Sequence, residues 1–317
     1  MTPSNLNGNG NEHGNKHVEN QLISDARRFG LNLDPKSLEL NETGMDFLVG
    51  FAKDANDNQT WVLRKPRRKD VWERAVNERN VLGLLHNQLS VAVPDWRIFD
   101  PELVAYPLLP GFPVAVVDAA AGGYAWAFEQ ARLEDAFFDS LAAALADLHG
   151  TDRDAAAAAG LRVKSPQEAR QGYADHIREI SEHFTIPESL STRWNRWLAT
   201  DHYWPDFSVL IHGDLHPPHI LVDDKQRVTG LIDWTEAEVA DPGKDFTIYY
   251  ALFGREGLED LLERYERSGG RTWPRMTEHI AEQWAAYPAL VAKFALTTGK
   301  EQDMEMARGM LATWKVD

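Results

Sequence analysis

The sequence contains no cysteine, which excludes disulfide bonds and catalytic thiols and leaves metal binding to histidine and carboxylate side chains. It also lacks a long hydrophobic run. The nearest, YPALVAKFAL, contains Lys293 and is far shorter than the roughly 18 apolar residues of a membrane span. Basic residues number 33 against 49 acidic ones, and the net charge of -16 repels phosphate backbones. We therefore expect a globular, monomeric, cytoplasmic protein that binds neither membranes nor nucleic acid.

The first twenty residues, MTPSNLNGNGNEHGNKHVEN, show neither the pattern of a signal peptide nor any hydrophobic periodicity. We expect residues 1–20 to form a disordered tail. The first helix is predicted to begin at Gln21, because the apolar residues of QLISDARRFG fall on one helical face and a glycine follows.

Residues 21–108 show strand patterns around one helix. The order of elements is β-β-α-β-β, and the first two strands are separated by the turn-rich ANDNQ, which predicts a hairpin. The segments are DFLVGFAKD, TWVLRKP, DVWERAVNERNVLGLLHNQL, VPDWRIFD and ELVAYPLL.

Residues 109–317 are dominated by long helical patterns, among them RMTEHIAEQWAAYPALVAKFALTTG, which we treat as one helix. Short strands interrupt them at VLIHGD, HILVDD and VTGLIDW. The sequence therefore predicts an α+β protein with a small β-rich N-terminal lobe, residues 21–108, and a larger, mostly helical C-terminal lobe, residues 109–317.

The segment VLIHGDLHPPHILVDD concentrates polar side chains between two apolar strands. Its three histidines, His212, His216 and His219, have spacings that would place them on one face of a helix as a zinc site. The adjacent Pro217 and Pro218 disfavour that helix, because proline breaks a helix interior. A loop is the favoured structure here.

A second interpretation joins this loop to GLIDWTEAEVADPGKDF, where Asp233 ends another apolar strand. Asp214, a ligand-type side chain five residues later and an aspartate after the next hairpin match the layout of phosphoryl-transfer sites. Such sites need a base for the acceptor hydroxyl and two groups that hold Mg²⁺. Each aspartate also has a simpler interpretation, since Asp214 suits a turn and Asp233 suits a helix N-cap.

These two loops resemble those of the aminoglycoside phosphotransferase family. WVLRKPRR, VPDWRIF, ELVAYPLL, WPDFSVLIHGD and FGREGLE resemble its macrolide 2′-phosphotransferase branch, in the same order, over about residues 21–312. The resemblance implies a bilobal protein-kinase-like fold. It also implies GTP as donor, with ATP as the other candidate, and transfer to the 2′-hydroxyl of the desosamine sugar of a macrolide.

By position, the resemblance makes Asp214 the catalytic base and makes His219 and Asp233 the Mg²⁺ ligands. His219 stands where most relatives carry asparagine, and imidazole is a poorer ligand for Mg²⁺ than an amide oxygen. We expect His212 to support the loop backbone, and His216 has no assigned role.

In the N-terminal lobe, a strand cation paired with a helix glutamate binds the nucleotide phosphates of kinases. The resemblance indicates Arg64 for the cation, and Glu78 is its predicted partner, although Glu78 would equally suit a solvated helix face. The region of a glycine-rich lid, LNETGMDFL, contains only Gly44, which disfavours protein-kinase activity.

ELVAYPLLPG corresponds to the interlobe hinge of the family. We expect Ala105, Tyr106 and Leu108 to lie beside the nucleotide base, and Ile232 to pack on it, although each residue would also suit an ordinary strand.

The acceptor is predicted from the aromatic content of the C-terminal half, where most tryptophans lie. A macrolide is a large apolar ring with one basic amine and suits an aromatic groove with few acids. Trp284, Tyr287 and Phe294 are the predicted groove, and Glu236 or Asp214 would face the amine. A kinase of another small alcohol, such as an aminoglycoside or amino alcohol, and a non-catalytic kinase-like module remain as alternatives.

Overall fold

The chain folds into two units, which a computed structural model describes for residues 9–41, 46–118, 120 and 122–315. The N-terminal unit comprises the residues up to 86 together with 92–110, and the C-terminal unit comprises 87–91 and the residues from 111 onward. The division after Pro110 falls close to the boundary that we expect at residue 108.

The N-terminal unit contains an antiparallel sheet in the strand order β1-β2-β3-β5-β4. Its elements are α1 (Asn9–Arg28), β1 (Glu39–Asn41), β2 (Phe47–Lys53), β3 (Thr60–Pro66), α2 (Lys69–Leu85), β4 (Ile98–Asp100) and β5 (Leu103–Pro107). β2 and β3 form the predicted hairpin, and α2 separates it from the β4–β5 pair. The order β-β-α-β-β is thus confirmed, with the short β1 added at the edge.

The helix α1 begins at Asn9 and not at Gln21, which corrects the expectation of a disordered tail for residues 9–20. Residues 1–8 lie outside the described part of the chain. Leu22 and Ala26 are fully buried and anchor the second half of the helix. Once that half is fixed, each further turn adds hydrogen bonds without a new nucleation step, so a polar segment extends the helix.

The C-terminal unit combines helices with short antiparallel strand groups in the orders β11-β10-β6, β12-β9 and β7-β8. Its strands are β6 (Phe112–Pro113), β7 (Ala115–Asp118), β8 (Gly123–Trp126), β9 (Val209–Ile211), β10 (Ile220–Val222), β11 (Val228–Leu231) and β12 (Glu238–Ala240). Its helices are α3 (Asp135–His149), α4 (Arg153–Ala158), α5 (Pro166–Ser181), α6 (Glu188–Ala199), α7 (Thr247–Arg267), α8 (Met276–Ala285), α9 (Tyr287–Thr298) and α10 (Glu301–Thr313).

The segment that we predicted as one long helix is divided into α8 and α9 at Ala286. Pro288 lies in the first turn of α9, where its missing N–H leaves no hydrogen bond unmade. A continuous helix would put the same proline in its interior, where it is strongly unfavourable. The break sets the direction of α9 and of the aromatic side chains at its start.

Two tryptophans of α6 belong to the core of the C-terminal unit. Trp194 and Trp197 are fully buried, and the Trp194 indole donates to the carbonyl of Ala285 at 2.9 Å. This hydrogen bond ties α6 to the end of α8, next to the residues of the predicted groove. Among the described residues, no helix is long and apolar enough to cross a membrane.

Candidate active site

The loop between β9 and β10, residues 212–219, carries Asp214 in an exposed position. The Asp214 side chain is 55% exposed. Gly213 before it has φ +82°, and a Cβ atom there would lie only 2.3 Å from the carbonyl oxygen of Glu236. Glycine is therefore required, both for the left-handed conformation and for the close approach of the two chain segments.

The buried Asp245 binds the backbone of this loop. Its carboxylate accepts hydrogen bonds from the backbone N–H groups of His212 and Gly213, both at 2.8 Å, and lies 3.2 Å from the ring of His149. Burial alone would raise the pKa of Asp245, but the hydrogen bonds and the neighbouring histidines outweigh it and hold the pKa below its usual value. Asp245 is thus ionised and fixes the backbone that leads into Asp214.

We expect Gly213→Ala to lower the free energy of unfolding by more than the roughly 1–2 kcal/mol that a left-handed conformation costs a residue with a Cβ atom. The excess reflects the clash with Glu236. Gly30→Ala is the matched control, since Gly30 has φ +88° and its Cβ would meet nothing within 4 Å. Urea unfolding of both variants measures the difference, and equal losses would show that the close approach is unimportant.

A second loop places Asp233 beside the first. Asp233 follows β11 and has φ +64°, a left-handed conformation that aspartate tolerates better than most side chains. The hydroxyl of Thr235 donates to its carboxylate at 2.9 Å. The N–H of Ile232 donates to the carbonyl of His219 at 3.0 Å, so backbone hydrogen bonding joins the two loops.

His212 makes a further link between the loops, as expected. Its ring is fully buried, Nε2 donates to the carbonyl of Ile232 at 3.0 Å, and Nδ1 accepts from the N–H of Asp214 at 3.3 Å. Burial lowers its pKa, which agrees with a neutral ring. With both nitrogens engaged, His212 has no lone pair for a metal, and the three-histidine zinc site is wrong.

His219 stands between the two aspartates. Its Nδ1 lies 2.9 Å from the carbonyl of Asp214, to which it donates, and its Nε2 lies 3.6 Å from Oδ2 of Asp233. Nε2 therefore carries the lone pair, and its distance from the carboxylate of Asp233 suits a single ion bound by both groups. One carboxylate oxygen and one imidazole nitrogen fit a Mg²⁺ ion whose other ligands are water and phosphate.

His216, to which the sequence assigns no role, contacts His219. Its Nε2 lies 3.2 Å from Nε2 of His219, and its Nδ1 lies 3.1 Å from the hydroxyl of Tyr124 on β8. Burial and the neighbouring His219 lower the pKa of His216 to about 4. Burial, with smaller contributions from Tyr287 and Asp214, raises the pKa of Tyr124 to about 12.

In the N-terminal unit, the predicted pair of Arg64 and Glu78 is present. Arg64 of β3 donates to Glu78 of α2 at 2.7 Å, with both side chains buried, and its guanidinium lies 4.1 Å from the ring centroid of Phe47. Lys65 points to the opposite face of the sheet and binds Asp25 at 2.6 Å. Gly44, predicted for the lid region, lies outside the described residues.

The predicted base-contacting residues differ in accessibility. Ala105 and Tyr106 are buried strand residues of β5, and the carbonyl of Ala105 already accepts from the N–H of Arg97. Leu108 is 42% exposed, and its N–H donates to the carbonyl of Thr60. Their contact with a nucleotide base stays a prediction, as does that of Ile232, which belongs to the C-terminal unit and is half-buried.

Two of the three residues predicted for the acceptor groove lie in contact, and their role in acceptor binding stays a prediction. The rings of Trp284 and Tyr287 lie 4.9 Å apart, and Trp314 joins them at 4.9 Å from Trp284. We call these three residues the aromatic group. Phe294 is exposed and, among the described residues, makes no ring contact with this group. Burial, followed by the charge of Asp214, raises the pKa of Tyr287.

Sequence reasoning assigned no role to Asp245, Tyr124 or Trp314. Asp245 lies in DPGKDF beside a second aspartate and a lysine, so no local pattern singles it out. Tyr124 lies 92 residues before its partner His216, a separation that no local pattern reveals. Trp314 follows the last helix, and only the packing of α10 on α9 brings it to the group.

A family model described as the phosphotransferase enzyme family matches residues 37–279. The chain is 49% identical over 292 residues to the uncharacterized protein YcbJ of Bacillus subtilis (strain 168), covering 92% of this chain and 95% of that one.

Two solved structures resemble the chain over nearly its whole length. One is a macrolide 2′-phosphotransferase type I, with a TM-score of 0.85, 39% identity and coverage of 99% of this chain and 100% of that chain. The other is the apoenzyme of macrolide 2′-phosphotransferase MphH from Brachybacterium faecium, with a TM-score of 0.86, 40% identity and coverage of 93% and 98%. The predicted α+β, kinase-like fold is confirmed.

Proposed function

The chain belongs to the phosphotransferase enzyme family, and we propose that it transfers the γ-phosphate of GTP to the 2′-hydroxyl of the desosamine sugar of macrolides. The observation that carries the proposal is the convergence of Asp214, His219 and Asp233 from two loops of the C-terminal unit. The macrolide acceptor rests on two relatives at 39% and 40% identity that are named for this activity. The reaction would take place in the cytoplasm, where nucleoside triphosphates are made.

Asp214 is proposed to orient the acceptor hydroxyl and to accept its proton as the phosphate is transferred. Its exposed carboxylate is accessible to a substrate, while Gly213 and the hydrogen bonds to Asp245 fix the backbone that precedes it. Phosphoryl transfer depends mainly on positioning and charge stabilisation, so a rigid support for the base contributes directly to the rate.

Asp233 and His219 are proposed to hold Mg²⁺, which when bound neutralises negative charge on the nucleotide phosphates. Within the chain, the hydrogen bond from Thr235 orients the carboxylate of Asp233. The carbonyl of Asp214 fixes the tautomer of His219, so that its Nε2 faces Asp233. The two candidate ligands are therefore preorganised by their neighbours.

Arg64 is proposed to bind the α- and β-phosphates, with Glu78 holding its guanidinium in place. A planar guanidinium offers a fork of donors to phosphate oxygens, where a lysine would act as a point charge. Tyr106 and Leu108 are proposed to border the nucleotide base, together with Ala105 of the same strand region. Ile232 is proposed to pack against the same nucleotide base.

The aromatic group is proposed to contact the macrolide ring. Trp284, Tyr287 and Trp314 are half-buried, and their rings pack against one another. Asp214 or Glu236 would then face the cationic dimethylamine next to the 2′-hydroxyl. Phe294 lies farther along α9 and would contact the outer part of the ring.

A panel of acceptors tests the assignment. Purified protein with Mg²⁺ and either GTP or ATP is incubated with a macrolide, an aminoglycoside and a small amino alcohol, and the products are analysed by mass spectrometry. We expect a singly phosphorylated macrolide, faster with GTP, and no change in the other compounds. Phosphate on the aminoglycoside or amino alcohol alone would favour the alternative function, a kinase of another small hydroxylated molecule.

A further inference from the structure

Two imidazole nitrogens face each other beside the catalytic aspartate, and only one of them is used by the proposed mechanism. Nε2 of His216 and Nε2 of His219 are 3.2 Å apart, and a carboxylate oxygen of Asp214 lies within 4.8 Å of a nitrogen of each ring. We propose that His216, His219 and Asp214 form a binding site for a first-row divalent transition-metal ion, such as Zn²⁺ or Co²⁺, that competes with Mg²⁺.

The orientation of His219 suits such an ion. Its Nδ1–H donates to the carbonyl of Asp214, which leaves the lone pair of Nε2 for a ligand. Metal-binding histidines usually donate their second N–H to a carbonyl or carboxylate, since this fixes the ring and raises its basicity. The same ring also lies 3.6 Å from Asp233, so a second carboxylate flanks the site.

The orientation of His216 completes the pair. In the present arrangement its Nε2–H points to His219, and its Nδ1 accepts from the hydroxyl of Tyr124. When an ion binds, the proton moves from Nε2 to Nδ1, where the phenol oxygen of Tyr124 accepts it. The hydroxyl group of Tyr124 thus forms a hydrogen bond with Nδ1 in both tautomers, and no net proton is released from the ring.

The distances match the size of the ion. Two nitrogen ligands at about 2.05 Å from a tetrahedral ion lie about 3.3 Å apart, close to the separation of the two Nε2 atoms. The exposed Asp214 side chain supplies a third ligand atom, which lies within 4.8 Å of a nitrogen of each ring. His212 cannot contribute, because both of its nitrogens are engaged within the loop.

The donor set decides which ions are favoured. Imidazole suits Zn²⁺, Co²⁺ and related ions, whereas Mg²⁺ prefers oxygen ligands and octahedral geometry. Because His219 is a ligand in both sites, the two ions cannot be held together. A transition-metal ion bound here would engage the base of the proposed reaction and so would oppose transfer.

Cobalt is the probe for the experiment, because tetrahedral Co²⁺ absorbs visible light far more strongly than octahedral Co²⁺. The full chain is titrated with Co²⁺ in the absence of nucleotide and acceptor. We expect a tetrahedral spectrum in the wild type, reversed by Zn²⁺. We expect His216→Gln to lose this spectrum and to bind Co²⁺ at least about tenfold more weakly. His183→Gln, at an exposed histidine after α5, is the matched control and should bind like the wild type.

A second measurement needs no variant. In ¹⁵N-labelled wild-type protein, Zn²⁺ should shift the Nε2 resonances of two histidines and leave the buried His212 unshifted. An octahedral Co²⁺ spectrum, equal Co²⁺ affinity in His216→Gln, or no Zn²⁺-dependent shift would each overturn the inference. It uses the catalytic loop of the proposed function, but neither measurement contains nucleotide or macrolide, so the two ideas fail separately.

Discussion

Asp214→Asn is expected to lower kcat for macrolide phosphorylation by roughly two to four orders of magnitude and to leave nucleotide affinity unchanged. Asparagine has the same shape but cannot accept the proton of the acceptor hydroxyl. The loop would keep its conformation, because Asp245 holds the backbone of His212 and Gly213 and not the Asp214 side chain. Steady-state kinetics and nucleotide titration measure the two effects.

Asp224→Asn is the matched control, since Asp224 is an exposed aspartate in the turn after β10. It removes the same charge from the same unit and should retain full turnover. If Asp214→Asn turned over as fast as this control, Asp214 would not be the base. A non-catalytic kinase-like module would instead show no transfer in either variant or in the wild type.

Asp233 variants are expected to lose Mg²⁺-dependent nucleotide binding. Asp233→Asn keeps an oxygen and suits the left-handed conformation, so it isolates the loss of charge. We expect its nucleotide affinity in Mg²⁺ to fall at least about tenfold, a change of roughly 1.4 kcal/mol. Asp233→Ala removes the ligand altogether and should abolish the Mg²⁺-dependent part of binding.

Calorimetric titration with nucleotide is carried out once in Mg²⁺ and once in EDTA. The difference gives the Mg²⁺-dependent part of nucleotide binding. Asp224→Ala should bind like the wild type in both conditions. Nucleotide affinity that is unchanged in Asp233→Asn and Asp233→Ala with Mg²⁺ present would exclude Asp233 as a metal ligand. A fall of equal size with and without Mg²⁺ would instead indicate damage to the loop.

Features governed by local patterns were predictable from the sequence. Alternation along β3 places Arg64 and Lys65 on opposite faces, and the structure shows them bound to Glu78 and Asp25 respectively. The two prolines after His216 correctly indicated a loop, because they are incompatible with a helix interior. These features depend on backbone geometry within a few residues.

Features that depend on tertiary packing were not predictable. The helical turns before Gln21 extend the second half of α1, whose apolar face is buried within the N-terminal unit. The contact of Tyr124 with His216 and the clamp formed by Asp245 join residues far apart in the chain. Phe294 was assigned to the groove as an aromatic residue on the same predicted helix as Tyr287; its side chain is exposed, and its contact with an acceptor stays a prediction.

Transfer to the 2′-hydroxyl is tested by incubating a macrolide and its 2′-O-acetylated form, each with the protein, GTP and Mg²⁺. The two acceptors differ only in the availability of one hydroxyl. We expect the free macrolide to gain the mass of one phosphate, with fragmentation placing it on desosamine, and the blocked form to stay unchanged. Phosphate on the blocked macrolide, or on neither compound while another alcohol is phosphorylated, would contradict it.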